Sequence, residues 1–346
     1  MTDVVIAGGG PSGLAAAIMA RQAGLSVTVY EPRPFPVDKA CGEGLMRPAI
    51  EMLESLGIED LPGVDFVGIR YVDGNQAAEG RFKYGSGRGV RRTVLQRALR
   101  DRAEALGAAL VPRALTDWRQ TDDHIEYEGS TARYLIAADG LNSPIRRALN
   151  LDASPKGPAR LGLRRHFAVA PWSEFVEVHW SEHAEAYVTP VGPNEVGVAL
   201  LYRQDAAPPG EGAPWDRWLA AFPELAAKLG SSDENVRGAG PFERRVRSVV
   251  SGRVLLIGDA AGYLDPITGE GIRLGLDTAQ SAIKAICSDS PTDHITQCRH
   301  VTWRYWTLTS GLLFLRYRGW LRRRMIPTLR RWPALFSRIL EMLNNA

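Results

Sequence analysis

The stretch from residue 3 to residue 31 constrains this chain more than any other. Asp3-Val4-Val5-Ile6-Ala7 is a short apolar run that reads as a buried strand. Gly8-Gly9-Gly10-Pro11-Ser12-Gly13 follows, then a helical pattern over residues 14–23, with Gly24 where a helix stop belongs. A second apolar run, Val27-Thr28-Val29-Tyr30, ends on Glu31. Strand, glycine turn, helix, strand and acid in this order make the dinucleotide fingerprint. Gly8 permits the tight turn, Gly10 lets a pyrophosphate approach the backbone, and Gly13 lets helix and strand pack closely. The helix start, with Pro11 at its head and free N–H groups from Ser12 on, offers donors and a partial positive charge to phosphates. Glu31 is placed to accept hydrogen bonds from a ribose diol, and Arg33 follows it.

The remaining chain supplies the rest of such a fold. Pro32-Arg33-Pro34-Phe35-Pro36 is a stiff extended segment. A second glycine-rich turn, Asp38-Lys39-Ala40-Cys41-Gly42-Glu43-Gly44-Leu45, suits close backbone approach to something flat or crowded. A helix is expected over 48–56, alternating strands over 66–84 and an arginine-rich helix over 90–106. Tyr134-Leu135-Ile136-Ala137-Ala138 is another buried strand, with Asp139 and Gly140 at its carboxyl end, where ligands of α/β sheets sit. Composition shifts near Pro155. Residues 161–202 then alternate with period two, as an antiparallel sheet does. One amphipathic helix is expected over 215–229 and a strand over 242–249. Val254-Leu255-Leu256-Ile257 returns to buried-strand character, leading into Gly258 and Asp259, and a helix is expected over 272–287. The resulting class is α/β: a Rossmann-like nucleotide-binding domain, an inserted antiparallel sheet and a helical C-terminus. The expected divisions are 1–155 (with 66–84 on the substrate side), 156–249, 250–298 and 299–346.

Composition adds bounds. A length of 346 residues allows two domains' worth of core, and 45% apolar with 23% charged residues is ordinary for a globular protein. The first strand is expected to start at residue 3, so no signal peptide is expected. Cys41, Cys287 and Cys298 show no paired spacing and no histidine cluster, against both a disulfide framework and a metal site. A cytoplasmic setting is expected. Residues 301–346 hold nine arginines and one acid, Glu341, so this tail is +8. The whole chain is +3, which leaves the first 300 residues at −5.

Three separated segments together resemble the signatures of the FAD-dependent aromatic hydroxylase superfamily. They are the turn from Gly8 to Gly13, Asp139-Gly140, and Gly258-Asp259. Lys39-Ala40-Cys41-Gly42-Glu43-Gly44-Leu45 is similar to the geranylgeranyl reductase-like branch. So is Gly258-Asp259-Ala260-Ala261-Gly262-Tyr263-Leu264-Asp265-Pro266-Ile267-Thr268-Gly269-Glu270-Gly271-Ile272. The resemblance implies FAD as cofactor. It places the pyrophosphate on Gly8, Gly10, Pro11, Ser12 and Gly13, and the adenosine ribose on Glu31 and Arg33. It gives Arg92, before Leu95, a further cofactor contact and Asp259, after Gly258, the ribityl chain. Asp139-Gly140 matches a motif tied to both FAD and nicotinamide. The turn after Pro266, through Gly269, Gly271 and Ile272, would lie against the isoalloxazine ring, where a helix terminus stabilises the reduced ring's negative charge. Cys41, beside Gly42, either touches the flavin, as its counterpart does in geranylgeranyl reductases, or fills a tight site.

Two reactions stay open, with hydroxylation favoured over double-bond reduction and a third reaction behind them. The first is an NADPH- or NADH- and O₂-dependent monooxygenase. It would hydroxylate an aromatic or polyketide-type lipophilic molecule of secondary metabolism through a flavin C4a-hydroperoxide, with His166 or His179 as candidate base. The second is a reductase of isoprenoid or other lipid double bonds. Flavin halogenation ranks third, because no Trp-x-Trp-x-Ile-Pro tract is present. The expected partner is a lipophilic small molecule and not nucleic acid, with the chain a monomer or homodimer. The tail interleaves Trp303, Trp306, Trp320 and Trp332 with arginines, and Leu335, Phe336, Ile339, Leu340 and Leu343 space as a helix face. Such a segment suits either peripheral contact with an anionic membrane or a helical layer packed on the body of the protein.

Overall fold

Runs apolar on both faces assemble the first sheet. The computed structural model describes residues 1–344, with side chains through Met342, so the Leu343 side chain lies outside the described residues. The main order is Val250–Ser251, Val254–Leu256, Ser130–Ala137, Thr2–Ala7, Val27–Tyr30, Ala109–Val111. The first pair is antiparallel and the rest are parallel. Val5, Ile6, Leu135, Ile136 and Leu255 are fully buried, as a sheet covered on both faces requires. Ala7 pairs with both Tyr30 and Ala137, and Ala137 with Leu256. The carboxyl ends of four strands are therefore in line. Gly8, Glu31, Ala138 and Ile257 all leave the sheet at one edge. The helices Pro11–Gln22, Arg92–Ala105 and Gly271–Cys287 pack around that edge.

The second sheet has seven strands, ordered Arg237–Ala239, Arg160–Phe167, Glu195–Arg203, Ala184–Gly192, Val176–Trp180, Gly68–Asp73, Gln76–Arg81. The last two form a hairpin from the first third of the chain. It joins Val176–Trp180 in parallel. Two local expectations fail for identifiable reasons. The helix expected over 215–229 is two helices, Pro214–Leu219 and Pro223–Leu229. Pro223 has no N–H and drives Phe222 out of helical geometry (φ −135°). The strand expected over 242–249 shrinks to Arg245–Val246. Its neighbours bond elsewhere: the Glu243 carboxylate accepts the N–H groups of Lys156 and Gly157, and the Arg244 N–H goes to the Tyr263 carbonyl.

The C-terminal region is a helical layer, Asp293–Tyr317, Gly319–Arg331 and Pro333–Asn344. Ile326, Leu329, Phe336 and Leu340 pack on Ala78, Val178 and Trp180 of the second sheet. A Cβ at Gly80 would meet Leu340 at 2.7 Å, which is how close this layer comes. No helix among the described residues is long and apolar enough to cross a membrane.

Buried charge fastens the layer down. Arg160 Nε is 2.7 Å from Asp265 Oδ2, and its Nη2 is 2.8 Å from Glu185 Oε2. Arg316, from the first C-terminal helix, completes the cluster on Glu185. Burial opposes the Glu185 charge, but Arg160 and Arg316 outweigh it and hold the carboxyl below its ordinary value. The same helix sends in Tyr305, whose hydroxyl accepts the N–H groups of Leu264 and Asp265 and donates to the Asp265 carbonyl. Glu185→Ala leaves two buried guanidinium groups without their shared carboxylate. It should destabilise the fold by about 3–5 kcal/mol, read as a lower urea midpoint, with earlier proteolysis of the C-terminal helices.

Candidate active site

A cavity of about 500 Å³ runs from the aligned strand ends to the second sheet. Gly10, Pro11, Ser12, Arg92, Asp139 and Asp259 line one end. Cys41, Gly42, Pro266, Gly269, Gly271 and Ile272 lie along the middle. Phe66, Ile69, Val178, Leu201, Phe242 and Leu312 line the far end. Gly140 also lines it. Gly8, Gly13, Glu31, Arg33, Gly258 and His166 do not.

The glycines divide their tasks. Gly8 has φ +111°, and a Cβ there would sit 2.2 Å from the Ala138 carbonyl oxygen. A Cβ at Gly13 would meet the Gly8 oxygen at 1.9 Å. Both are consumed by the turn itself. Gly10 is open, its nearest neighbour being Arg92 Nη2 at 4.0 Å, so it faces the cavity. Ser12 is pressed between two further glycines, since a Cβ at Gly258 or Gly275 would meet its Oγ at 2.5 or 2.2 Å.

Charge at this end is arranged for an anion with hydroxyl groups beside it. Glu31 accepts from the Gly9 N–H (3.0 Å) and from Arg33 Nε (2.7 Å). Burial opposes its charge, yet Arg33 and these N–H groups hold the carboxyl below its ordinary value. Lys39 also lines the cavity. Burial lowers its ammonium, assisted by Arg33 and Arg92. Burial raises the Asp259 carboxyl against the pull of Lys39 and Arg92. Asp139 Oδ2 accepts from the Ile145 N–H (3.2 Å), so it caps that helix. Asp139 Oδ1 and Arg92 Nε are buried without a hydrogen-bond partner. Buried polar atoms of this kind are uncommon. They fit an FAD: Arg92, Lys39 and the N–H groups at Pro11–Gln22 suit a diphosphate, and Asp259 suits the ribityl hydroxyls.

The middle of the cavity is held stiffly. The helix Gly271–Cys287 begins there, and its first N–H groups and dipole are available to a ring. Asp265 Oδ1 accepts from the Ile267 N–H (3.0 Å), and Gly269 adopts the left-handed region (φ +75°). Behind this loop, Glu270 is buried 3.6 Å from Arg273, with Oε2 lacking a hydrogen-bond partner. Burial raises its carboxyl to about 7. Burial also pushes the Cys41 thiol up, so Cys41 presents a neutral S–H to the cavity.

Neither histidine of the second sheet lines the cavity. His166 Nδ1 lies 2.8 Å from Arg164 Nη1. A guanidinium only donates, so Nδ1 accepts and Nε2 carries the proton. That proton is donated to Glu43 Oε2 at 2.6 Å. Glu43 has φ +59°, and its Oε1 accepts from the Arg92 N–H at 2.8 Å. Arg164 is in turn ion-paired with Asp38. His166 therefore clasps the second glycine turn to the sheet and to the Arg92 helix. His179 pairs with Glu177 at 2.9 Å, also away from the cavity. His166, Glu195 and Glu234 bring possible ligand atoms within 4.8 Å, but Glu43 and Arg164 occupy the histidine, and Arg91 the Glu195 carboxylate. The sequence motifs contained Lys39 and Glu43 without marking their roles. Gly275, a glycine inside the helix Gly271–Cys287, was the available signal for its close contact.

Two expectations follow. Asp259→Ala should weaken FAD binding by about 10–100-fold, seen as loss of visible flavin absorbance after purification. Glu270 has a folded-state value of about 7 above an ordinary 4.5. Its neutral form is favoured by folding, so this contribution is present below 4.5 and lost as pH rises to 7. Glu270→Gln should therefore remove that slope and raise stability above pH 7 by up to about 3 kcal/mol, measured by thermal melts at several pH values.

Comparison with known proteins agrees with this geometry. A family model described as an FAD-binding domain matches residues 1–288. The chain is 28% identical over 318 residues to a menaquinone reductase of Mycolicibacterium smegmatis, spanning 84% of this chain and 78% of that one. It is 31% identical over 315 residues to a digeranylgeranylglycerophospholipid reductase of Methanopyrus kandleri, spanning 79% and 77%. The crystal structure of a flavoprotein/dehydrogenase from Cytophaga hutchinsonii shares the fold, with a TM-score of 0.82 at 19% identity over 97% and 92% of the chains. The chain belongs to the FAD-binding-domain family of the FAD-dependent aromatic hydroxylases and is an FAD-dependent oxidoreductase.

Proposed function

We propose that this oxidoreductase reduces a carbon–carbon double bond in an isoprenoid or similar lipophilic chain. One observation carries this reading. Among the described residues, those lining the apolar end of the cavity include no free base, while a neutral thiol, Cys41, lines the same cavity. Glu43 is the carboxylate nearest to Cys41 in sequence, and it is engaged by His166 and the Arg92 N–H. Tyr187 donates its hydroxyl to the Ile267 carbonyl (2.9 Å), and burial raises it well above its ordinary value. Two curated relatives bear the names of reductases, one of an isoprenoid phospholipid.

When bound and reduced, FAD would supply a hydride, two electrons and one hydrogen, for one carbon of the double bond. The other carbon would take a proton from the protein, so that the product would gain two hydrogens. A nicotinamide, NADPH or NADH, or another two-electron donor would be the reductant. The chain supplies the setting. Arg92 and Lys39 hold the phosphates. The start of Gly271–Cys287 places its N–H groups where negative charge grows on reduction. The proton would come from the Cys41 thiol, which burial keeps neutral until the second carbon takes it, and solvent would return a proton to the sulfur afterwards. Phe66, Ile69, Val178 and Leu201 exclude water along the chain of the substrate. Hydroxylation is the second reading, favoured by the same dry cavity for a substrate that needs no base.

The test is a turnover experiment on flavin-loaded protein with a geranylgeranyl-chain lipid. Under anaerobic reduction the product should gain two hydrogens per bond. Cys41→Ala should keep its flavin and lose about 10²-fold in turnover. Nicotinamide-driven oxygen uptake in air, with one oxygen added to the product and no hydrogen gain, would sink the reductase and install the monooxygenase.

A further inference from the structure

We propose that the outer face of the C-terminal helices docks on an anionic lipid bilayer. The idea rests on the lipophilic substrate proposed above for its purpose, and on surface residues for its evidence. Among the described residues, ten large hydrophobic side chains are exposed, and seven of them lie between positions 303 and 342. They are not scattered. On Asp293–Tyr317 the exposed positions Trp303, Thr307, Ser310, Phe314 and Tyr317 recur at helical spacing and form one stripe. On Gly319–Arg331 the exposed stripe is Trp320, Arg323, Arg324, Pro327 and Arg331, while Arg322, Ile326 and Leu329 face inward. The two stripes meet at the corner Arg318-Gly319. Trp320 there is 60% exposed and Phe314 52%.

The charge is equally one-sided. Of nine arginines after residue 300, Arg316 and Arg322 are buried on Glu185 and Asp73. The other seven are exposed, against the single acid Glu341. Arg318 lies 4.3 Å from the Phe314 ring centre and Arg324 lies 5.9 Å from that of Trp320. Arginine held beside tryptophan on the outer face of an amphipathic helix suits a headgroup layer, where the ring sits at the interface and the guanidinium meets lipid phosphate. These helices lie on such a surface and do not cross it, since none is long and apolar enough to do so. Their inner side completes the argument. Leu312 and Leu340 line the cavity from beneath the same layer, so a lipid chain leaving the bilayer has one helical layer to pass.

Flavin-loaded protein is sedimented with vesicles of phosphatidylcholine alone or mixed with phosphatidylglycerol. Binding should require phosphatidylglycerol and weaken in high salt. Phe314→Ala/Trp320→Ala and Arg323→Glu/Arg324→Glu should each keep their flavin and lower the partition coefficient about tenfold or more. Three results would overturn the docking face: no binding, equal binding to both vesicles, or variants that bind like the parent. So would retention of single-stranded nucleic acid in place of vesicles, or variant-sensitive self-association without lipid. Vesicle binding alongside failed double-bond reduction would support the docking face and remove only the reaction.

Discussion

A Cβ at Gly13 would lie 1.9 Å from the Gly8 carbonyl oxygen, and that forbidden contact sets the geometry of the whole cofactor end. Only without side chains can the first helix start directly over the first strand. Its N–H groups then point at the line where four strand ends come level. The second approach, of Ser12 to Gly258 and Gly275, brings the last strand and the ring-facing helix to the same point. Residues 10, 259 and 271, hundreds of positions apart in part, thus line one cavity because three glycine contacts remove the space between them.

The second dependence is electrostatic. The loop that would lie along the ring, residues 264–271, buries Leu264 and Ile267 in two separate apolar clusters. It is held by Asp265 on Arg160, by Tyr305 on its backbone and by Arg160 through Glu185 to Arg316. A buried charge cluster is a poor source of stability in itself, since desolvation offsets most of the attraction. What it supplies is position. It ties a loop of the first sheet, two strands of the second and a C-terminal helix to one another. The C-terminal layer is therefore part of the active-site wall rather than an appendage.

Much of this was legible in the chain. Runs apolar on both faces gave the parallel strands, and period-two alternation gave Arg160–Phe167 and Ala184–Gly192. The strand-end acids Asp139 and Asp259 were found because their position follows from local pattern. What stayed hidden was pairing across distance. Alternation puts Arg164 and His166 on one face of a strand but cannot say what that face meets. Glu43, which takes up His166, is 123 positions away and sits in a left-handed turn. In the same way nine arginines after residue 300 look alike, and nothing local separates Arg316 and Arg322, which are buried and paired, from the seven at the surface.

That separation changes what the basic tail means. Had all nine arginines faced solvent, charge alone would describe the segment, and any polyanion would suit it. With two turned inward, the layer has an inner face that closes a cavity and an outer face of rings and guanidinium groups. The position of His166 narrows the chemistry likewise. A histidine with Nε2 donating to a carboxylate and Nδ1 accepting from a guanidinium has no free nitrogen to take a proton from a substrate. Cys41, which lines the cavity, carries a proton on its sulfur. A cavity with an apolar end, a neutral thiol at Cys41 and the outer surface proposed above for lipid are consistent with the substrate class we propose. That proposed substrate is long, apolar and drawn from a bilayer, and it would react at a carbon that needs a proton delivered rather than removed.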